Sequence, residues 1–146
     1  MTDFTDHPAP TVRIAKNRCF ACGPANENGL HLDFSLAENG SAVCLTTIPD
    51  CFEGPPGYLH GGIVTTLLDE TMSKSMRARG LTSVTRQLEI ELLRPVPSAS
   101  PIRLEGRVVR SDGRKYWTEA RIFNPRGHIL AEAKGLFIEI HNGHGR

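Results

Sequence analysis

The chain has 146 residues, 39% of them hydrophobic and 23% charged, with a formal net charge of +1. That length suits one domain with a real core, and so even a charge balance gives no reason to expect nucleic acid or an anionic membrane as partner. No apolar run reaches transmembrane length and the first residues lack a charged-then-apolar signal, so a cytoplasmic location is expected.

In chain order, residues 1–29 read as an N-terminal arm and a turn-rich segment, with prolines at 8 and 10 and then Cys19-Phe20-Ala21-Cys22-Gly23-Pro24, Asn26 and Asn28-Gly29. Leu30, Leu32, Phe34 and Leu36 alternate with His31, Asp33 and Ser35, which predicts a half-buried strand. Asn39-Gly40 signals a hairpin into a second strand, Ala42 to Ile48. The loop Pro49 to Gly57 is rigid and delivers the chain to the stretch Tyr58 to Gly80, around which the rest is organised.

Winding residues 63–79 at about 100° per residue gathers Ile63, Val64, Leu67, Leu68, Met72 and Met76 on one arc. A helix this apolar is expected to be nearly surrounded by protein. Gly80 after Arg77 and Arg79 is a helix stop with cations in the last turn. Beyond it the period falls to two. Val84, Leu88, Ile90 and Leu92 oppose Thr85, Gln87, Glu89 and Glu91. Further strands are predicted from Ile102 to Arg110, Lys115 to Asn124 and Ile129 to Ile140, closed by Asp112-Gly113 and Pro125-Arg126-Gly127. Residues 30–140 form the domain and 141–146 a flexible tail. Tight turns imply antiparallel pairing. The expectation is an α+β hotdog fold, an antiparallel sheet of five to six strands wrapped around one long central helix.

His60-Gly61-Gly62 opens that helix, where the first backbone N–H groups lack partners and the dipole favours negative charge. Glycine lets a ligand approach those donors, so the site could hold a carbonyl oxygen as it becomes an oxyanion; the plain alternative is close packing at a corner. Asp69 falls at the edge of the apolar arc, where a desolvated carboxylate suits a general base or nucleophile. Or it is a structural carboxylate paired with Ser73, Arg77 or a neighbouring strand. Glu70 falls on the polar arc with Lys74 and Arg77 and is expected in solvent. Thr85 lies early on the third strand, on the side of Gln87 and Glu89. Arg114-Lys115, at a hairpin tip, can grip phosphates or simply solvate an edge.

Cys19-x-x-Cys22 hints at zinc or redox chemistry, but structural zinc needs four ligands and no second such pair exists. No metal site and no cofactor are expected. The four cysteines, at 19, 22, 44 and 51, lack framework spacing and are expected as reduced thiols. There is no Gly-x-Ser-x-Gly, phosphate loop or dinucleotide fingerprint.

Glu53-Gly54-Pro55-Pro56-Gly57-Tyr58-Leu59-His60-Gly61-Gly62, with an aspartate nine positions after the histidine, resembles the hotdog-fold acyl-CoA thioesterases of the phenylacetate-pathway and mitochondrial superfamily types. The likeness extends through Thr85, Arg94-Pro95-Val96-Pro97, Gly113-Arg114-Lys115, Glu132-Ala133 and Leu136-Phe137-Ile138, over roughly residues 44–140. Asn17-x-Cys-Phe-x-Cys-Gly-x-x-Asn26 with Gly29-Leu30 is similar to a segment of bacterial relatives. The resemblance implies an acyl-CoA substrate and catalysis by Asp69, with Thr85 positioning water, the Gly61 N–H polarising the carbonyl and His60 bracing the loop. It also implies that Gly62, Arg114 and Lys115 contact substrate. Gly54 stands where some relatives carry a polar amide residue. A non-catalytic acyl-CoA-binding module or a hydratase on the same fold are the alternatives. Gly61 and Asp69, eight residues apart on one helix, cannot both reach one carbonyl, which implies a homodimer or a dimer of dimers with shared sites.

Overall fold

The computed structural model describes residues 16–37 and 39–141; the expected arm over residues 1–15 and the tail from 142 lie outside them. The elements are β1 (Ser35–Leu36), β2 (Ala42–Thr47), a 3-10 turn (Asp50–Phe52), α1 (Gly61–Ala78), β3 (Ser83–Leu92), β4 (Pro101–Asp112), β5 (Lys115–Phe123) and β6 (Ile129–Glu139). The six strands form one antiparallel sheet in the order β1-β2-β4-β5-β6-β3. Helix α1 lies against one face and touches every strand. This is the hotdog arrangement.

The helix buries Val64, Leu67, Leu68, Met72 and Met76, as the periodicity requires, and also Thr71 and Ser75. Those two hydroxyls avoid stranding a buried donor by bonding back to the Leu67 and Met72 carbonyls, each at 2.6 Å. Two sheet glycines let the helix settle this closely. A Cβ on Gly106 would meet the Thr71 methyl at 2.8 Å, and one on Gly135 the Met72 sulfur at 3.0 Å. The inner face is completed by Leu104, Ile122, Ala120, Ala133 and Phe137. The outer face carries charged pairs instead, among them Arg107–Glu119 at 2.7 Å and Arg121–Glu132 at 3.5 Å.

The first predicted strand is the largest departure. Leu30, Leu32 and Phe34 are buried as their alternation demands, but only Ser35 and Leu36 pair with β2. Upstream, the backbone bonds elsewhere: Leu30 N–H to the Phe20 carbonyl at 2.7 Å and Leu32 N–H to that of Ala21 at 2.9 Å. His31 turns the chain with a φ of 53°. Ala21 and Cys22 are drawn into the same core by this pairing. None of the four cysteines forms a disulfide, and no described helix is long and apolar enough to cross a membrane.

Candidate active site

Helix α1 begins at Gly61, two residues earlier than its apolar period predicts. His60 caps it: its Nδ1 accepts from the Gly62 N–H at 2.9 Å, and its carbonyl accepts from Ile63 and Val64 at 2.9 and 3.0 Å. Among the described residues, the Gly61 N–H alone of these first four has no acceptor. It opens on a cleft of about 210 Å³ lined by Tyr58, Gly61, Val64, Leu92, Pro95 and others. A Cβ on Gly61 would come within 3.3 Å of Leu92. The helix start therefore presents a dipole-supported donor to an apolar cleft, as an oxyanion site needs. Gly62 spends its N–H on the cap and stands beside this cleft without donating into it. The Gly54 backbone packs against His60 so closely that a Cβ there would lie 3.1 Å from the His60 Cα. A side chain at position 54 would therefore crowd the loop that carries His60.

Asp69 is half-buried on the side of α1 that faces β3. Its partner is neither Ser73 nor Arg77 but lies on the neighbouring strand β3, the third pairing considered for a structural carboxylate: the Thr85 hydroxyl donates to Asp69 Oδ1 at 2.7 Å. Strict alternation would have aimed Thr85 away from the helix, with Gln87 and Glu89. A β-bulge between Thr85 and Gln87 corrects the phase. Thr85 pairs with Phe137, which is 1% exposed on the inner face, whereas Gln87 pairs with Leu136, which borders the outer face. One extra residue thus turns the hydroxyl onto the carboxylate.

Arg114 and Lys115 follow the Gly113 turn, whose φ of 61° only glycine adopts readily. Lys115 pairs with Ile138, and Ile138 pairs with Val84, the neighbour of Thr85. Two strand spacings put the pair about 10 Å across the sheet from Thr85. Arg114 is exposed and steadied by a 3.0 Å bond from its Nε to the Glu139 carbonyl. Within one chain, Asp69 at mid-helix meets Thr85 early in β3, whereas His60, Gly61 and Gly62 stand at the helix start. Eight helical residues separate Gly61 from Asp69 by about 12 Å.

Glu70 is not in solvent. Its side chain is 14% exposed, 3.6 Å from Lys74, and lies against the Cys19–Cys22 turn. The Cys22 thiol is pushed up to about 12, chiefly by burial and then by the hydrogen bond and charge of Glu70, with Lys74 pulling the other way. A helical wheel gives an azimuth but not what covers it, and the covering segment comes from far upstream. Leu92 and Tyr58 line the cleft although the sequence marks neither as a site residue, Tyr58 only opening the stretch before the helix and Leu92 reading as an apolar strand position.

The description of the thioesterase superfamily matches residues 56–131, from the loop before α1 into β6. Among curated proteins, acyl-coenzyme A thioesterase THEM4 of Xenopus laevis is 27% identical over 135 residues, covering 90% of this chain and 60% of that protein. The chain thus spans little more than half the length of such relatives. Among solved structures, a thioesterase superfamily protein superposes with a TM-score of 0.79 at 30% identity, over 82% of this chain and 62% of that one. A Streptococcus mutans protein solved bound to acetyl CoA gives 0.69 at 22% identity, over 75% of this chain and 88% of its own.

Proposed function

The chain belongs to the thioesterase superfamily, and from that premise we propose that it hydrolyses acyl-coenzyme A thioesters to a free carboxylic acid and coenzyme A. The observation that carries the proposal is the Thr85–Asp69 hydrogen bond, which a bulge in β3 turns onto the helix. The acyl-CoA substrate is the one named for the THEM4 relative, and acetyl CoA is bound by the Streptococcus mutans neighbour.

In this proposal Asp69 is a general base. Thr85 occupies Oδ1, which leaves Oδ2 to take a proton from a water that attacks the thioester carbonyl. The resulting oxyanion is held by the Gly61 N–H, a donor of a kind whose loss costs about 10²–10³-fold in turnover. Collapse expels coenzyme A as its thiolate. Arg114 and Lys115 bind its phosphates as charge-assisted donors.

The two halves of this machinery come from different subunits. β3 is an edge strand of ten residues, and Val84, Leu92 and Leu93 on and beside it are about half exposed. An edge so long and apolar is a template for a second copy. Pairing β3 with its own symmetry mate about an axis at Glu89, with the bulge between Thr85 and Gln87 taking up one residue, sets Thr85 opposite Leu92 of the partner subunit. Because Leu92 touches Gly61, that register brings Asp69 of one chain to Gly61 of the partner subunit. The proposed working unit is therefore a homodimer with two equivalent sites.

The test is thiol release from a panel of short, long and aromatic acyl-CoA esters, run with wild-type protein and Asp69→Asn. Turnover of at least one ester by the wild type, lost in the variant with substrate still bound, supports the proposal. Saturable binding of every ester with no thiol release by either protein would make the chain an acyl-CoA-binding module.

A further inference from the structure

On the flank of α1 away from Thr85, the side chains of Cys19, Cys22 and Glu70 converge. Their two sulfurs and one carboxylate oxygen all lie within 4.8 Å of one another. We propose that Cys19, Cys22 and Glu70 form a binding site for a thiophilic divalent cation, zinc above all, that clips the turn-rich segment to the central helix.

Several independent features point this way. The Cys-x-x-Cys-Gly segment is wound tightly enough to bring both sulfurs to one side. Gly23 N–H donates to the Cys19 carbonyl at 2.7 Å, and Asn17 holds the turn through Oδ1 to the Cys19 N–H at 2.9 Å. No side chain fits at Gly23, where a Cβ would lie 2.4 Å from the Asn17 oxygen and from the Cys19 nitrogen. Asn17 Nδ2 also lies 3.7 Å from Cys22 Sγ, the outer-shell contact that orients a metal-bound thiolate. A tetrahedral zinc with bonds of about 2.3 Å to sulfur spaces its ligands about 3.8 Å apart, so the cluster need contract by only about 1 Å.

Charge agrees with geometry. Two thiolates and a carboxylate carry three negative charges. A divalent ion and Lys74, 3.6 Å from Glu70, balance them. A coordinated thiol is deprotonated, and soft sulfur ligands select zinc over magnesium or calcium. Glu70 supplies a third protein ligand beside the Cys-x-x-Cys pair and water completes the tetrahedron, so the site is of the open three-ligand kind and not the closed four-ligand kind that the sequence lacks. Cys19 is half-buried at the rim, which gives the ion a way in. The same three side chains account for why an acid immediately after Asp69 is turned into the protein. The site lies apart from Thr85 and the cleft, and it stands whether or not the chain hydrolyses thioesters.

The experiment uses the reduced full-length chain without a polyhistidine tag. Titrated with Co²⁺, it should develop a thiolate-to-cobalt charge-transfer band and intense tetrahedral visible bands, saturating at one ion per chain and reversed by Zn²⁺. Cys19→Ser and Cys22→Ser should abolish the band. Glu70→Gln should weaken Zn²⁺ binding by about tenfold or more, on the scale of other lost metal-supporting contacts. Cys51→Ser, at an exposed thiol, should change nothing. Adding a chelator should lower the melting temperature of zinc-loaded wild type and leave that of Cys22→Ser unmoved. No charge-transfer band in reduced wild type, or unchanged affinity in Glu70→Gln, would overturn the proposal. So would recovery of the purified chain with Cys19 and Cys22 joined as a disulfide that, once reduced, takes up no metal.

Discussion

At one end of the sheet β1 adds only two residues to the ladder, and the chain leading into it is bonded to Phe20 and Ala21 of the turn-rich segment. At the other end β3 runs for ten residues with no strand of the described residues on its outer side and apolar side chains half exposed. The first edge is finished by the chain itself; the second is the one that, in the proposed dimer, joins its symmetry mate. Helix α1 lies between them and sends one acid to each side. Glu70 turns toward the covered edge and meets two thiols and Lys74. Asp69, one residue and about 100° away, turns toward the open edge and meets a single hydroxyl. Adjacent residues of like charge thus meet different surroundings, and the roles proposed for them differ accordingly. A carboxylate enclosed within one subunit is suited to holding structure, and one facing an unfinished edge is suited to catalysis shared with a partner.

The contrast can be broken first at the open edge. N–H direction alternates along a strand, so one of Leu88 and Glu89 points its N–H outward rather than to β6. Proline at that position should leave the fold melting cooperatively but split the dimer, abolishing turnover because each half-site is then alone; sedimentation and thiol release read both. Retained activity in a confirmed monomer would place a whole site in one chain. The next effect is at Asp69. Asp69→Asn keeps shape and removes charge, and turnover should fall by about 10²-fold or more with binding largely kept. A smaller loss, about tenfold, is expected for Thr85→Ala, which removes one hydrogen bond to a charged group. It should recover in Thr85→Ser. The smallest effect concerns Arg114 and Lys115. Replacing both by alanine should raise KM for acyl-CoA several-fold and barely change that for an acyl-pantetheine, which lacks the nucleotide phosphates. Equal effects on both substrates would show that the pair supports the fold instead.

Much of this was legible in the sequence, for identifiable reasons. The helix announced itself because Val64, Leu67, Leu68, Met72 and Met76 recur at its period, and β4 to β6 because Asp112-Gly113 and Pro125-Arg126-Gly127 punctuate alternating runs. What escaped were features set by contacts distant in the chain. The bulge that turns Thr85 inward leaves no mark on an alternating pattern, since Thr85 and Arg86 are both ordinary strand residues. The early end of the pairing at Ser35 depends on Phe20 and Ala21 competing for the same backbone donors. Glu70 was placed in solvent because its arc is polar, and nothing local shows that Cys19 and Cys22 would fold over it.

The shared site is the centre of this account, and mixing two inactive variants tests it most directly. One is Asp69→Ala. The other is Gly61→Pro, which removes the N–H at a first helical position that tolerates proline and follows a His60 whose ψ of 140° already suits a residue before proline. In a mixed dimer one site is intact and the other doubly broken. Random pairing makes about half of all dimers mixed, so activity should recover to about a quarter of the wild-type rate. If mass spectrometry confirms mixed dimers, both variants are folded and no activity returns, Asp69 and Gly61 do not act across the open edge.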